Sequence, residues 1–466
     1  MKRFLAIMLA GSMILTMAGC SGESSSGSST VSSSDSSAVS SSDSSASDVS
    51  GTSDAQTSDT SAETSDNAQL ANAMKPDLIS AAIQSSLGLD ASAATAAAEQ
   101  MLPLLMYTEG NSVRVAKVIR KLKAGEEVTV AYLGGSITQG TGADGETCYA
   151  ALTTKWLREQ FPDATINYVN AGIGATGSYI GVHRCDTQVL NNDPDLVFID
   201  FSVNDTSDRI AINKLTYEGL IRKIWQYESA PGIICIAMTQ DNGTSVQSAH
   251  GEVTEKYSVP LVSYHDAMLD FLSSNDSVQW SDISGDNIHP NVAGHAILSS
   301  MLTTYLQYVS DNLDSIGEIE PELAAPGENG AKYEKAHLLT TDDAQPVSTG
   351  AFQKKEMSFG GFNNPWIAKT SDGSYTDEDA LVIEVEAQNI GILYGKLTAN
   401  AGSADIYIDD DLVTTISADF SGGWGNYVEF AEIKNFMTSG THTLKIVPKG
   451  PEGAASAFYL CGITIS

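Results

Sequence analysis

Val128-Thr129-Val130-Ala131-Tyr132-Leu133-Gly134-Gly135-Ser136-Ile137-Thr138 is the stretch on which the fold turns. A β-branched, nearly continuously apolar run reads as a strand covered on both faces, and paired glycines at its end let the backbone turn sharply. Four similar runs follow, at residues 166–169, 196–201, 233–238 and 261–263. Between them lie amphipathic patterns at 149–160, 179–190, 212–228 and 246–257, with a last helix over 291–309. Such alternation predicts an α/β domain in three layers, a parallel sheet between helices. An Ala-rich helical prelude (67–99) and a helix over 112–122 precede the first strand, so the domain is taken as 67–315 with a prelude of 67–122.

Past residue 315 the texture changes. Glu318-Ile319-Glu320-Pro321-Glu322 and Pro326-Gly327 mark a linker over 316–335. Short alternating runs follow, at 381–386, 391–397, 404–408, 412–416, 427–433, 442–447 and 457–465, separated by Gly, Asn and Asp turns. They predict a β-sandwich over 336–466, with Asp409-Asp410-Asp411 as a hairpin tip.

The chain has 466 residues, room for two domains, and 25 Lys plus Arg against 58 Asp plus Glu, a net charge of −33. That balance disfavours nucleic acid and anionic lipid headgroups as partners. Residues 1–20 carry Lys2 and Arg3 before a short apolar run, as an export signal does. The run ends in Met17-Ala18-Gly19-Cys20, which resembles a bacterial lipobox and implies cleavage before Cys20 and lipidation of its thiol; plain secretion is the alternative. Residues 21–66 hold 22 Ser and 8 acidic residues, with no Lys, Arg, Pro or aromatic residue. Nothing there can bury, so the stretch reads as a disordered tether spanning about 40 Å. The expected location is the outer face of the cytoplasmic membrane, reached only through the lipid anchor. Cys148, Cys185, Cys235 and Cys461 form no C-x-x-C pair and indicate neither a zinc site nor a disulfide framework.

Chemistry-bearing residues fall at strand ends. Ser136 follows the first strand. Gly172, Gly174 and Gly177 follow the second, in a G-x-G-x-x-G pattern that also fits a dinucleotide fingerprint. An exported chain has little access to that cofactor, and the first strand, where a fingerprint belongs, carries Gly134-Gly135-Ser136 instead. Free N–H groups in such a loop can equally stabilise an oxyanion. Asp200-Phe201-Ser202-Val203-Asn204-Asp205 ends the third strand, and Asp286-Asn287-Ile288-His289-Pro290 precedes the last helix. Asp286 and His289, three apart, can pair as carboxylate and imidazole. His289 and His295 are six apart and share no helical face, so no metal site is expected. A nucleophile, two kinds of oxyanion donor, a base and an orienting acid on one rim fill the roles of acyl transfer.

On these four motifs, residues 112–310 resemble the SGNH (GDSL-type) hydrolase superfamily. Gly134 to Thr138 matches its first block, with Gly135 where the family has Asp. Asn170 to Ser178 matches the second, with Ala175 at the oxyanion glycine and Gly174 beside it. Ser202 to Asp205 matches the third with Ser for Gly, and Asp286 to His289 the fifth. The resemblance implies a flavodoxin-like fold with a five-stranded parallel sheet, no cofactor, and ester hydrolysis through an acyl-enzyme on Ser136. His289 and Asp286 would complete the triad, and the N–H groups of Ser136 and Gly174 or Ala175, with the Asn204 amide, would hold the oxyanion.

The acidic, tethered chain with an appended sandwich resembles secreted carbohydrate acetyl esterases, so the expected partner is an acetylated glycan of hemicellulose type. Peptidoglycan O-acetyl groups are the alternative substrate. A non-catalytic glycan-binding surface lipoprotein is the alternative of another class, opposed by the intact Ser136, Asp286 and His289. No long apolar lid segment argues for a lipase. Trp280, just before the base, is the expected substrate contact; Trp366, Trp424, Tyr427, Phe420 and Phe362 are candidate sugar platforms or sandwich core.

Overall fold

In the computed structural model, Leu70 and residues 73–466 are described. The expected signal, Cys20 and the tether lie outside them. The parallel sheet is built from β2 (Glu127–Gly134), β3 (Thr165–Gly172), β4 (Leu196–Asp200), β5 (Gly232–Ala237) and β6 (Leu261–Ser263). A sixth, antiparallel edge strand, β1 (Met106–Thr108), pairs with β6 and corrects the expected count of five. Only three residues long, β1 shows no readable alternation. The order is β1-β6-β5-β4-β2-β3.

Side chains along β2 alternate between two cores. Val128, Val130 and Tyr132 face one helix layer, while Ala131 and Leu133 face the other. The first layer comprises α1 (Asp77–Leu87), α2 (Ala91–Met101), α3 (Val113–Lys123), α5 (Tyr149–Gln160), α9 (Tyr264–Ser274) and α11 (Val292–Asp311). The second comprises α6 (Ser178–Gln188), α7 (Ile210–Trp225) and α8 (Gln247–Lys256). Two short helices, α4 (Ser136–Gln139) and α10 (Trp280–Ile283), lie in loops. Helix α9 escapes the sequence reading, although Ser263 caps it by accepting the Asp266 N–H at 2.9 Å.

The expected linker is held against the α/β layers. Arg222 donates to the carbonyl of Ala324 at 2.7 Å and pairs with Glu334 at 2.9 Å, and the Tyr333 ring is buried. Beyond it the chain forms the expected antiparallel sandwich, with order β14-β13-β15-β12-β16-β11-β8. Its strands are β7 (His337–Leu339), β8 (Gln353–Lys354), β11 (Trp366–Thr370), β12 (Leu381–Lys396), β13 (Ser403–Ile408), β14 (Asp411–Ser417), β15 (Tyr427–Lys449) and β16 (Ser456–Ile465), with β7 on β16. The small pair β9 (Ser358–Phe359) and β10 (Phe362–Asn363) stands apart.

Two expectations are corrected here. Residues 381–386 and 391–396 belong to one strand, β12, which ends one residue short of the expected 397, and 427–433 and 442–447 to another, β15. Register shifts at Ala387/Asn389 and Ile390/Gly391 interrupt the period-two pattern without ending the strand, and both halves of β12 feed one core. The hairpin tip stands as a two-residue turn, with Asp409 (φ 51) and Asp410 (φ 71) both left-handed, as a primed turn requires.

Candidate active site

From β2 the chain moves to β3 on one side and then to β4 on the other, so the carboxyl end of β2 is the point where the strand order reverses, the usual crevice of open α/β sheets. Ser136 opens α4 at that point. Its Oγ lies 2.8 Å from Nε2 of His289. Nδ1 of His289 lies 2.7 Å from Asp286 Oδ2, while Asp286 Oδ1 accepts the N–H groups of Ile288 and His289 at 2.7 Å each. With Nδ1 donating to the carboxylate, Nε2 is left as the acceptor facing the hydroxyl, the arrangement needed to take its proton.

Partial burial pushes the Asp286 carboxyl up. Hydrogen bonds from the His289 ring and from the two backbone N–H groups outweigh it and hold the carboxyl below the ordinary carboxylate range. The turn is fixed from below. Ser284 Oγ lies 2.6 Å from the His289 carbonyl and 2.8 Å from that of Asp286. The indole N–H of Trp280, the expected substrate contact, donates to the Asp286 carbonyl at 2.6 Å, so its polar edge supports the acid-bearing turn.

Asn204 stands on the other side of Ser136. A Cβ on Gly135 would come within 2.0 Å of Asn204 Oδ1, so the glycine that replaces the family's Asp makes room for the amide. The Asn204 side chain makes no hydrogen bond among the described residues, leaving Nδ2 free to donate. As the first residue of α4, Ser136 has no intrahelical partner for its own N–H.

Of the two loop candidates after β3, the Gly174 N–H is already given to Gln139 Oε1 at 3.0 Å. The Ala175 N–H makes no hydrogen bond among the described residues. Ala175 sits in the left-handed region at φ 58, where glycine is at ease and a Cβ costs about 1 kcal/mol. The loop is pinned beyond by Asp205, whose Oδ1 accepts the Ser178 N–H at 2.8 Å while Nε2 of the buried His250 donates to Oδ2 at 2.9 Å. Gln139 and His250 carry no motif that singles them out, and Asp205, although it closes the third block, gets its role only from these contacts across the strand ends.

Beneath α4, Asp200 is fully buried, with Oδ2 3.3 Å from Thr138 Oγ1 and Oδ1 unpartnered among the described residues. Burial pushes it up to about 7, against a weaker opposing hydrogen bond from Thr138. The unfolded chain therefore releases this proton near pH 4, while the folded protein keeps it to about 7. Stability from this group is full below pH 4 and declines as pH rises through that window. Asp200→Asn is expected to gain up to about 4 kcal/mol relative to wild type between pH 4 and pH 7.5, read from urea unfolding at both pH values. An advantage that does not change with pH would remove Asp200 from this role.

The sandwich reaches the same rim. The turn at Gly360 and Gly361 presses on Ile173, two residues before Ala175, and a Cβ on Gly361 would meet Ile173 Cγ2 at 2.7 Å. Tyr179 stacks on Phe430 at 3.9 Å, and its hydroxyl lies 2.9 Å from Thr464 Oγ1. Arg209, beyond Asn204, pairs with Glu429 at 3.0 Å. Among the aromatic candidates Trp366 and Phe362 are core residues. Phe420, Trp424 and Tyr427 form one cluster with ring centroids 4.5–5.0 Å apart, and Trp424 is 62% exposed.

Residues 132–297 match the model of the GDSL-like Lipase/Acylhydrolase family. Among solved structures, the chain is similar to a two-domain esterase active on acetylated mannans, co-crystallized with mannopentaose, at 31% identity and a TM-score of 0.69, over 78% of this chain and 96% of that one. A second crystal structure of a two-domain esterase active on acetylated mannans gives 31% identity and a TM-score of 0.70, over 78% of this chain and 97% of that one. None of the curated proteins matches the chain by sequence.

Proposed function

Because the chain belongs to the GDSL-like lipase/acylhydrolase family and is a carboxylic ester hydrolase, we propose that it removes O-acetyl groups from a hemicellulose-type glycan, an acetylated mannan foremost. The observation that carries this reading is the likeness to a mannan-active esterase over both of its domains, not over the α/β part alone.

In this mechanism Ser136 Oγ attacks the acetyl carbonyl while His289 Nε2 takes its proton. The carbonyl oxygen becomes an oxyanion held by the N–H groups of Ser136 and Ala175 and by Asn204 Nδ2. His289 then protonates the departing sugar oxygen, leaving an acetyl ester on Ser136. Water, deprotonated by the same imidazole, releases acetate and restores the serine. Asp286 keeps the ring in the working tautomer and stabilises the imidazolium. The Phe420, Trp424 and Tyr427 cluster offers apolar faces of the kind sugar rings stack on.

Asn204→Ala is expected to lower kcat by roughly 10² to 10³ with little change in KM, the scale of one oxyanion donor. Retention of full turnover would take Asn204 out of the site. The reading as a whole is tested by acetate release from a panel of acetylated mannan, xylan and peptidoglycan, with Ser136→Ala as control. Release fastest from mannan supports it, and release from peptidoglycan alone overturns the substrate. The same reading has the protein exported and anchored through Cys20, which predicts detergent-phase partitioning that Cys20→Ser abolishes.

A further inference from the structure

Arg184, on the second turn of α6, is fully buried, yet no carboxylate pairs with it among the described residues. Nη1 donates to the Ala171 carbonyl at 2.5 Å and to Gln188 Oε1 at 2.6 Å. Nη2 donates to the Gly134 carbonyl at 2.8 Å and to Thr176 Oγ1 at 3.3 Å, and Nε has no acceptor among the described residues. Burial lowers the guanidinium to about 9, which leaves it charged at neutral pH. An unpaired buried cation is among the costlier things a core can contain, and apolar replacements of buried charges are often neutral or stabilising. Filling space does not explain it.

Three of the four acceptors do; the fourth, Gln188, lies on α6 itself. Gly134 ends β2, one residue before the glycine that precedes Ser136, and its carbonyl also accepts the Ile173 N–H at 3.1 Å. Ala171 is in the last turn of β3 before the loop. The Thr176 hydroxyl, next to Ala175, donates to the Ile173 carbonyl at 2.7 Å. One planar guanidinium therefore bridges the peptide leading to Ser136 and both flanks of the turn presenting the Ala175 N–H.

We propose that Arg184 is a positioning residue of the oxyanion hole, fixing the Ser136 and Ala175 N–H groups relative to each other and placing a constant positive charge behind them. The rigid fork suits this task, since a lysine ammonium could carry the charge but not span the acceptors. Both effects favour the tetrahedral anion over the neutral ester, so they act on kcat rather than on substrate binding. The inference rests on the esterase reading and on the assignment of Ala175 as donor.

The test uses the full chain and an activated aryl acetate, so that no glycan preference enters. Arg184→Met is expected to lower kcat by roughly 10- to 100-fold, below the loss for a direct donor, with KM within about threefold. Arg184→Lys should fall between it and wild type. Inhibition by a boronic acid, which forms a tetrahedral anion on Ser136, should weaken by the same factor as kcat. Folded variants with kcat and boronate inhibition within twofold of wild type would overturn the proposal, whatever their unfolding midpoint. Should neither variant fold, Thr176→Val removes one acceptor without stranding a charge and is expected to cost kcat about three- to tenfold, the scale of one weakened contact; unchanged kcat there also overturns it. A wild-type protein with no Ser136-dependent hydrolysis would instead sink the esterase reading on which the proposal stands.

Discussion

Ser136→Ala is expected to lower turnover by about 10⁴-fold or more, leaving only what the oxyanion donors and binding can do without a nucleophile. The expectation follows from how little else the hydroxyl does. Among the described residues its one side-chain hydrogen bond is to His289 Nε2 at 2.8 Å, and α4 is held by other atoms: the Thr138 hydroxyl lies 2.8 Å from that of Tyr149, and the Gln139 side chain bonds Gly174. The variant should therefore unfold at the same urea concentration as wild type, which separates lost chemistry from lost structure. Acetate release from a wild-type substrate at matched protein concentration gives the measurement. Turnover within a hundredfold of wild type would mean that another group attacks the ester.

Asp286→Asn is expected to be nearly as damaging, roughly 10³ to 10⁴ in kcat, although it changes a single atom. The side-chain carbonyl of the new Asn can go on accepting the Ile288 and His289 N–H groups, which Asp286 Oδ1 accepts at 2.7 Å. That places the NH2 group against Nδ1, where Oδ2 stood at 2.7 Å. Nδ1 must then accept, Nε2 carries the proton, and the ring can no longer take one from Ser136. The depressed Asp286 carboxyl also sets a sign. Its contribution to stability is complete above the ordinary carboxylate range and is lost as pH falls through its lowered folded value, so the pair is intact at neutral pH. Asp286→Asn should accordingly flatten the acid limb of the unfolding profile as well as lower kcat. A variant keeping a tenth of wild-type turnover would show that the backbone alone orients His289.

How much of this was readable before any coordinates depended on whether a residue's task is local. The strands of the α/β sheet stand out because both faces are covered, and α5 because Tyr149, Ala150 and Leu157 recur on one buried face. Long β12 and β15 read as pairs of strands, since a bulge breaks alternation just as a turn does. Ser136 and Asn204 lie in short motifs at strand ends, and Asp286 and His289 in one just before the last helix, so all four can be singled out there. Arg184 could not: it lies in the run Val182-His183-Arg184-Cys185, and nothing in a helical period says that a charge will be swallowed whole. Choosing between Gly174 and Ala175 likewise needed the Gln139 contact, which spans 35 positions of chain. Trp280 stands out by its place just before the base, whereas the support its N–H gives to the Asp286 turn is visible only in the contacts.

The pressure of the Gly360 and Gly361 turn on Ile173 ties the sandwich to the turn that presents Ala175. A fragment trimmed after Ser315 would lose the neighbours that Gly361, Phe430 and Thr464 give to Ile173 and Tyr179. A graft of the α/β half onto a foreign partner would keep Ser136, Asp286 and His289 yet strip the outer neighbours of the segment carrying Ala175, so the two halves are expected to transplant better together than apart.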